Sequence, residues 1–208
     1  MRALRAGWLW TCAFLAPGTA LALPPPDPWT EENLSFRLLL GNLDGGENTR
    51  LLHDDSHRYT VGFDFSSPVA RDRRLEAVME IWADERGYSG ATTAAGERTG
   101  TLTLGALALT YGIRARTLTD LHPYALVAAG VQGNRLEGRT RADPSVTMKE
   151  ENLVPAAQVG LGIEWEVGND LFSLDWRHWF ARGDFTEFDA HGLDLGGNYL
   201  GIGLGHRW

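Results

Sequence analysis

Apolar and polar residues alternate with a period of two in one segment after another of this chain, from Leu34 to the last residue. That period places successive side chains on opposite faces, the pattern of a β-strand lying between two different environments. Leu34, Phe36, Leu38 and Leu40 alternate with Ser35, Arg37, Leu39 and Gly41, and Tyr59, Val61, Phe63 and Phe65 with Arg58, Thr60, Gly62 and Asp64. Leu75, Ala77, Met79, Ile81 and Ala83 alternate with Glu76, Val78, Glu80, Trp82 and Asp84. The segments 100–114 and 123–136 are strand-like but apolar on both faces, so their register stays open and a bulge fits there. Clean alternation returns with Ala157, Val159, Leu161, Ile163, Trp165 and Val167 against Gln158, Gly160, Gly162, Glu164 and Glu166. It continues with Phe172, Leu174, Trp176 and Phe180 against Ser173, Asp175 and Arg177. Leu200, Ile202, Leu204, His206 and Trp208 against Tyr199, Gly201, Gly203, Gly205 and Arg207 complete the series.

Eight strands result, and their connections differ in length. The first, third, fifth and seventh (43–57, 85–99, 137–152 and 182–194) are long and polar; the others shorten to the tight Gly168-Asn169-Asp170 turn. An even strand number with alternating short turns and long loops predicts an all-β fold over 34–208: an eight-stranded antiparallel up-and-down transmembrane β-barrel, both termini periplasmic. A soluble barrel of the lipocalin type would show the same alternation with the apolar face inward. Three features favour the membrane arrangement. The polar face carries both signs of charge (Arg37, Glu76, Glu80, Glu164, Glu166, Asp175, Arg177 and Arg207), a set that can pair across a narrow lumen. Glycines 160, 162, 201, 203 and 205 crowd that face, where they would make room for long Arg and Glu side chains; on a water-facing surface they would only weaken the strands. Aromatics lie on the apolar face near strand ends (Tyr59, Phe65, Trp165, Phe172, Phe180 and Trp208), as at lipid headgroup level.

The first 22 residues read as a secretory signal peptide: Arg2 and Arg5, an apolar run from Trp8 to Ala16, and the small-x-small site Ala20-Leu21-Ala22. The apolar run is too short to span a bilayer as a helix, and no later segment reaches that length. Residues 23–33 form a Pro-rich periplasmic lead-in. Removing the signal takes away two arginines and Cys12, so the net charge falls from −8 to about −10 and no thiol remains for a disulfide, catalysis or a metal. The acidic balance argues against nucleic acid as a partner.

Tyr199-Leu-Gly-Ile-Gly-Leu-Gly-His-Arg-Trp208 ends on an aromatic residue with apolar residues at alternate positions before it. It resembles the C-terminal signal recognised by the outer-membrane assembly machinery, from which His206 departs. Val159 to Trp179 joins a Gly-rich strand, a short Asn/Asp turn and an acid-aromatic-Arg-aromatic strand. This stretch, with Pro123-Tyr124 and Ala128 to Val131, resembles the small outer-membrane barrels of the outer membrane protein A-type and opacity-type families. The resemblance implies a bacterial outer-membrane protein in contact with lipid and lipopolysaccharide, expected as a monomer.

Some barrels of this size modify lipid A. A hydrolase would need a His activating a Ser, with an acid orienting the His. His178 shares a strand with Ser173 and Asp175, but alternation puts it on the opposite face, and the Trp-Phe-Ala-Arg after it lacks the Ser-Asn of the lipid A deacylases. His53-Asp54-Asp55-Ser56-His57 and the seventh connection (Asp184, Glu187, Asp189, His191, Asp194) are competent cation ligands and equally ordinary polar loops. Gly201-x-Gly203-x-Gly205 lies on a terminal strand with no helix after it, which excludes a phosphate-binding turn. Neither a catalytic residue nor a metal nor a cofactor is assigned. The lumen charges remain the functional candidates, pairing to plug the barrel. Three classes stay open: a non-enzymatic structural or surface-interaction barrel, a narrow pore or small apolar-ligand carrier, and a lipid A-modifying enzyme.

Overall fold

The structure, a computed structural model, describes residues 34–45, 60–69, 74–89, 99–140, 147–188 and 190–208. The expected signal peptide, the Pro-rich lead-in, Tyr59 and the His53–His57 cluster lie outside the described residues. Nine strands follow one another: β1 (Ser35–Gly45), β2 (Thr60–Pro68), β3 (Leu75–Ser89), β4 (Thr99–Arg116), β5 (His122–Thr140), β6 (Thr147–Val167), β7 (Asp170–Phe185), β8 (Ala190–Asp194) and β9 (Gly197–Arg207). A 3₁₀ turn, Thr186–Phe188, precedes β8. β8 and β9 sit on β7 in one register, Arg182↔Asp194 and Trp179↔Gly197, so they are two parts of one stave interrupted at Leu195 and Gly196. The staves are therefore eight. Their order is β6-β5-β4-β3-β2-β1-β9-β7, every pair is antiparallel, and β6–β7 pairing closes the ring.

Closure fixes the tilt. Followed one way round from Arg37, the register runs through Asp64, Glu80, Thr110 and Gly130 to Ala156 of β6. Followed the other way, it runs through Gly205 and Leu171 to Glu166 of the same strand, ten residues from Ala156. A stagger of that size around eight staves tilts them by roughly 40° to the barrel axis.

The barrel is inside out relative to a soluble one. Arg37, Asp64, Glu76, Glu80, Arg114, Glu164, Asp175 and Arg177 are buried, while Phe63, Ile81, Val127, Leu161, Trp176 and Ile202 are exposed. The lipocalin-type alternative buries the opposite set and is excluded. On β7 the outward run Phe172, Leu174, Trp176, His178 and Phe180, apolar except for His178, spans about 20 Å along the axis at ~3.3 Å per residue and a ~40° tilt, near the height of a membrane-facing belt. No helix among the described residues is long and apolar enough to cross a membrane; the strands make the crossing.

The long connections are shorter than their sequence suggests. The expected loop 137–152 is mostly strand, since β5 runs to Thr140 and β6 starts at Thr147. The loops expected at 85–99 and 182–194 likewise give way to the ends of β3, β4 and β7 and to β8. The physical reason is a reversal in the sense of alternation. Above the apolar belt the outward positions turn polar (Arg135 and Glu137, Lys149 and Glu151, Arg182 and Asp184), while the inward positions turn apolar (Leu136, Val154, Phe185). These extensions are built like a water-exposed barrel with its own core of Leu39, Leu104, Leu136, Phe185, Phe188, Leu193 and Leu195. β4 and β5, apolar on both faces in sequence, settle with even-numbered residues inward, and β4 carries a register irregularity between Thr99 and Leu102.

The inward glycines make room mainly for rings. A Cβ on Gly62 would lie 2.7 Å from the Trp82 ring, one on Gly162 would enter the Tyr124 ring, and one on Gly201 the Tyr199 ring. Gly205 faces the side chain of Arg37, as the size argument expects, and Gly160 that of Arg177. Overpacking such a site costs about 1–3 kcal/mol. Gly162→Val is accordingly expected to lower the urea midpoint in lipid vesicles by that equivalent. Gly105→Ala, where an added Cβ meets nothing within 4 Å, should leave the midpoint unchanged to about 0.5 kcal/mol.

Candidate functional site

Every stave places at least one polar side chain in a single network at the turn end of the lumen. β1 supplies Arg37, β2 Asp64, β3 Glu76 and Glu80, β4 Arg114 and Arg116, β5 Tyr124, β6 Glu164 and Glu166, β7 Asp175 and Arg177, and β9 Arg207. The inward face of each strand sets these positions by the period of two alone.

Asp64 lies at the centre. Its Oδ2 accepts from Arg37 Nη2 at 2.5 Å and from Arg114 Nη2, and Arg177 Nη2 stands 3.8 Å away. Arg37 also pairs with Glu164 at 3.2 Å, and Arg114 with Glu76 at 3.1 Å. Arg177 bridges Glu80 and Asp175. The second oxygen of Glu80 takes hydrogen bonds from Gln158, from Thr110 at 3.5 Å and from Trp82 Nε1 at 3.5 Å. Nearer the short turns, Arg116 joins Glu76 (3.3 Å), Glu164 (3.0 Å) and Glu166 (3.1 Å), and Arg207 reaches the same three carboxylates. Tyr124 donates to Asp175 while its ring lies under the guanidinium groups of Arg37 and Arg114, 5.3 and 5.0 Å from the centroid.

Five guanidinium groups thus meet six carboxylates, a near balance that leaves no strong single-sign field along the axis. Burial is nearly complete: Arg37, Asp64, Glu80, Asp175 and Arg177 are all at 0% exposure, and Glu166 beside the turn end is the most open member. Above the charges comes a layer of rings. Trp82 meets Trp179 edge-on at 5.6 Å and Tyr199 at 4.9 Å, and Arg177 sits 5.2 Å from the Trp82 ring. Arg86 of β3 reaches across the lumen above that layer to the carbonyls of Leu195 (3.1 Å) and Gly196 (3.3 Å).

All eight lumen residues expected from sequence lie in this network, but the pattern alone missed its centre. Asp64 stood on the inward face of its segment without being singled out. Arg114 closes a segment that is apolar on both faces and Arg116 lies just beyond its expected end, so neither stands out, although two arginines at i and i+2 are themselves a register signal. Of the expected interface aromatics, Phe65, Trp165, Phe180 and Trp208 are exposed and Phe172 half-buried; all face outward, and Trp165 stacks on Phe172 at 5.8 Å. His178 faces outward as well, bonded through Nδ1 to Asn198 Oδ1 at 2.9 Å, with Ser173 and Asp175 behind it in the lumen. Among the described residues no group of three or more His, Cys, Asp or Glu has metal-holding geometry.

No protein-family model and no curated protein matches the sequence. Solved structures do match it. Neisserial surface protein A (NspA) superposes with a TM-score of 0.52 at 8% identity, over 86% of this chain and 98% of that one. The chain has the fold of a small outer-membrane β-barrel. Ail, the attachment invasion locus protein of Yersinia pestis, crystallised with the heparin analogue sucrose octasulfate, gives 0.47 at 11% identity, over 83% of this chain and 96% of that one. The N-terminal β-barrel domain of Pseudomonas aeruginosa OprF gives 0.44 at 13%, over 85% and 98%. At such identities the likeness with NspA concerns the fold and not the activity.

Removing one member of a buried ion pair leaves its partner uncompensated, at a cost of about 3–5 kcal/mol. Arg177→Met is expected to destabilise the barrel by that amount in urea titrations in vesicles. Glu80→Gln combined with Arg177→Met should cost clearly less than the sum of the two single changes, giving a coupling above about 1 kcal/mol.

Proposed function

We propose that this chain is a non-enzymatic outer-membrane barrel, closed to ions and solutes, that serves the envelope or its surroundings through its loop end. The observation that carries the reading is the lumen network: side chains from all eight staves meet across the axis, buried except at Glu166 and Arg207 nearest the short turns, under a lid of three aromatic rings. An ion moving along the axis would have to separate Arg177 from Glu80 and Asp175 and then pass Trp82, Trp179 and Tyr199. Opening buried pairs of this kind costs several kcal/mol.

The remaining features support the same reading. The belt of outward apolar residues suits the acyl region of a bilayer, and the water-compatible extensions suit the space beyond it. With the short turns and both termini on the periplasmic side, the extended end of the barrel faces outward. NspA is named a surface protein, and an outward-facing extended end suits a role of that kind here. β9, with Trp208 directly after it, is the segment proposed to be read by the assembly machinery, and outer-membrane lipid and lipopolysaccharide are the proposed surroundings of a monomer. His178 points to lipid, bonded to Asn198, which supports a packing role for it over a catalytic one.

Planar bilayer recordings test the closed lumen. The reconstituted chain should show no stable conductance steps, and Arg177→Met combined with Trp82→Ala should show them. Large, steady currents from the unaltered chain would contradict the proposal.

A further inference from the structure

Among the described residues the longest break in stave pairing lies at one seam; the others, at Leu195–Gly196 and between Thr99 and Leu102, are short. β6 and β7 pair from Val167↔Asp170 to Ala156↔Ala181 and then stop, although β6 continues to Thr147 and β7 to Phe185. Pro155 explains where. Gly168 (φ 65°) and Asn169 form a two-residue turn, so Val167 and Asp170 are a hydrogen-bonded pair, and such pairs recur at every second residue. By that count residues 155 and 182 would be the next such pair beyond Ala156, with the N–H of residue 155 aimed at β7. Proline has no N–H to give. On its other side Pro155 faces Val131 of β5 at a position that asks no N–H of it, and that pairing continues.

Beyond Pro155 side chains stand in for the ladder. The carbonyl of Asp184 would accept from the N–H of Leu153; it accepts instead from Asn152 Nδ2 at 3.0 Å. The N–H of Thr186 would reach the backbone of residue 151; instead Thr186 N–H and Glu187 N–H both donate to the carboxylate of Glu150, each at 2.9 Å. The β5–β6 and β7–β8 hairpins are each paired internally and are joined to one another here by a few exposed, water-accessible bonds. Such bonds open at low cost.

The seam begins at the rim of the lipid-facing belt. Leu153 is the last outward apolar residue of β6, at 71% exposure, and Phe180 the last of β7; Glu151 and Arg182 follow. Directly behind the seam the lumen is lined mainly by apolar side chains (Leu136, Val154, Phe185 and Leu195), with Asn134 and Asn152 bonded to each other beside them. Gly183 lacks a side chain, and the place of its Cβ is approached by Asn152 Nδ2 (2.8 Å), Leu195 Cδ1 (2.8 Å) and Val154 Cγ1 (3.1 Å). Leu195 also borders a cavity whose apolar wall is Trp82, Trp179, Ala106 and Ala108 and whose polar side is Thr60, Asp84, Arg86 and Gln132. The apolar outer belt and the apolar core of the extensions are thus separated at this seam by side-chain bridges and not by paired backbone.

We infer that this seam is a lateral gate, through which an acyl chain of an outer-leaflet lipid passes from the bilayer into the apolar half of the lumen, displacing Leu195. The leaflet follows from the orientation proposed above; the gate itself follows from Pro155 and does not depend on the lumen being closed to ions, because it lies above the charged network and the ring layer. A hydrocarbon chain is the occupant because the belt that meets the seam is already covered by such chains.

The test is photolabelling of the folded full chain, with folding verified by heat-modifiable migration on gels. The vesicles are phosphatidylcholine containing a phosphatidylcholine with a diazirine at the acyl terminus. Adducts mapped by mass spectrometry should fall on the outward residues Leu161 and Ile163 and also on the inward residues Val154 and Leu195. Pro155→Val, which restores the missing donor, should reduce the inward adducts several-fold. Glu150→Ala with Asn152→Ala should raise them several-fold. Adducts confined to outward residues in all three chains would overturn the gate and leave the membrane reading intact. Absence of adducts on the outward residues would overturn the membrane reading, and the gate with it.

Discussion

Six arginines among the described residues point into an eight-stranded lumen too narrow to hydrate them fully, five in the charged network and Arg86 above the rings, and each finds a carboxylate there. That constraint organises the rest of the interior. A guanidinium so buried is tolerated only when it is paired and its donors are met, since the cost of removing it from water exceeds what one contact returns. The network meets the demand by sharing: Asp64 serves three arginines, and Glu164 and Glu76 serve three each. Shared partners tie distant staves together, so the charges that fill the lumen also cross-brace the ring. Gly162 and Gly205 leave the volume that Tyr124 and Arg37 need, and Trp82, Trp179 and Tyr199 form a layer of rings where the charges end.

The second organising fact is that one period of two serves two solvents. Along β6 the outward side is apolar from Leu153 to Trp165 and charged at Lys149 and Glu151, while the inward side changes in the opposite sense, from Glu164 to Val154. The backbone does not change; the surroundings do. The outward rim is therefore a boundary that can be located on each strand, and Pro155 stands at that boundary on β6. A proline tolerated there marks the point at which continuous pairing ceases to be required, because water can satisfy what the ladder leaves open. In hydrocarbon it could not.

How much of this was legible in the sequence depended on which solvent the strand met. Strands such as 34–41, 75–84 and 157–167 were legible because one face meets lipid and the other meets charge, the largest contrast available. β4 and β5 were not, because Leu104, Ala108 and Leu136 face an apolar part of the lumen while Leu107, Val127 and Val131 face outward, which erases the contrast. The extensions were read as loops for a related reason. Arg135, Glu137, Lys149 and Glu151 are normal for a water-facing strand but resemble a polar loop when a membrane strand is expected. The charged lumen was legible as a set of residues and not as a network, since which carboxylate meets which arginine depends on the ten-residue stagger, and only closure of the ring reveals it.

The central claim is that alternation inverts at the rim: lipid outside and charge inside below it, water outside and an apolar core above. The sequence has a single cysteine, Cys12, so single-cysteine variants without it give a clean probe. The most direct measurement is a nitroxide scan of outward and inward positions of β6, from Lys149 to Trp165, in vesicles, comparing collisions with oxygen and with a water-soluble nickel chelate. Labels at 157, 159, 161 and 163 should favour oxygen, labels at 149 and 151 should favour nickel, and labels at 154 and 158 should meet neither. Nickel access at 159 and 161 equal to that at 149 and 151 would contradict the account.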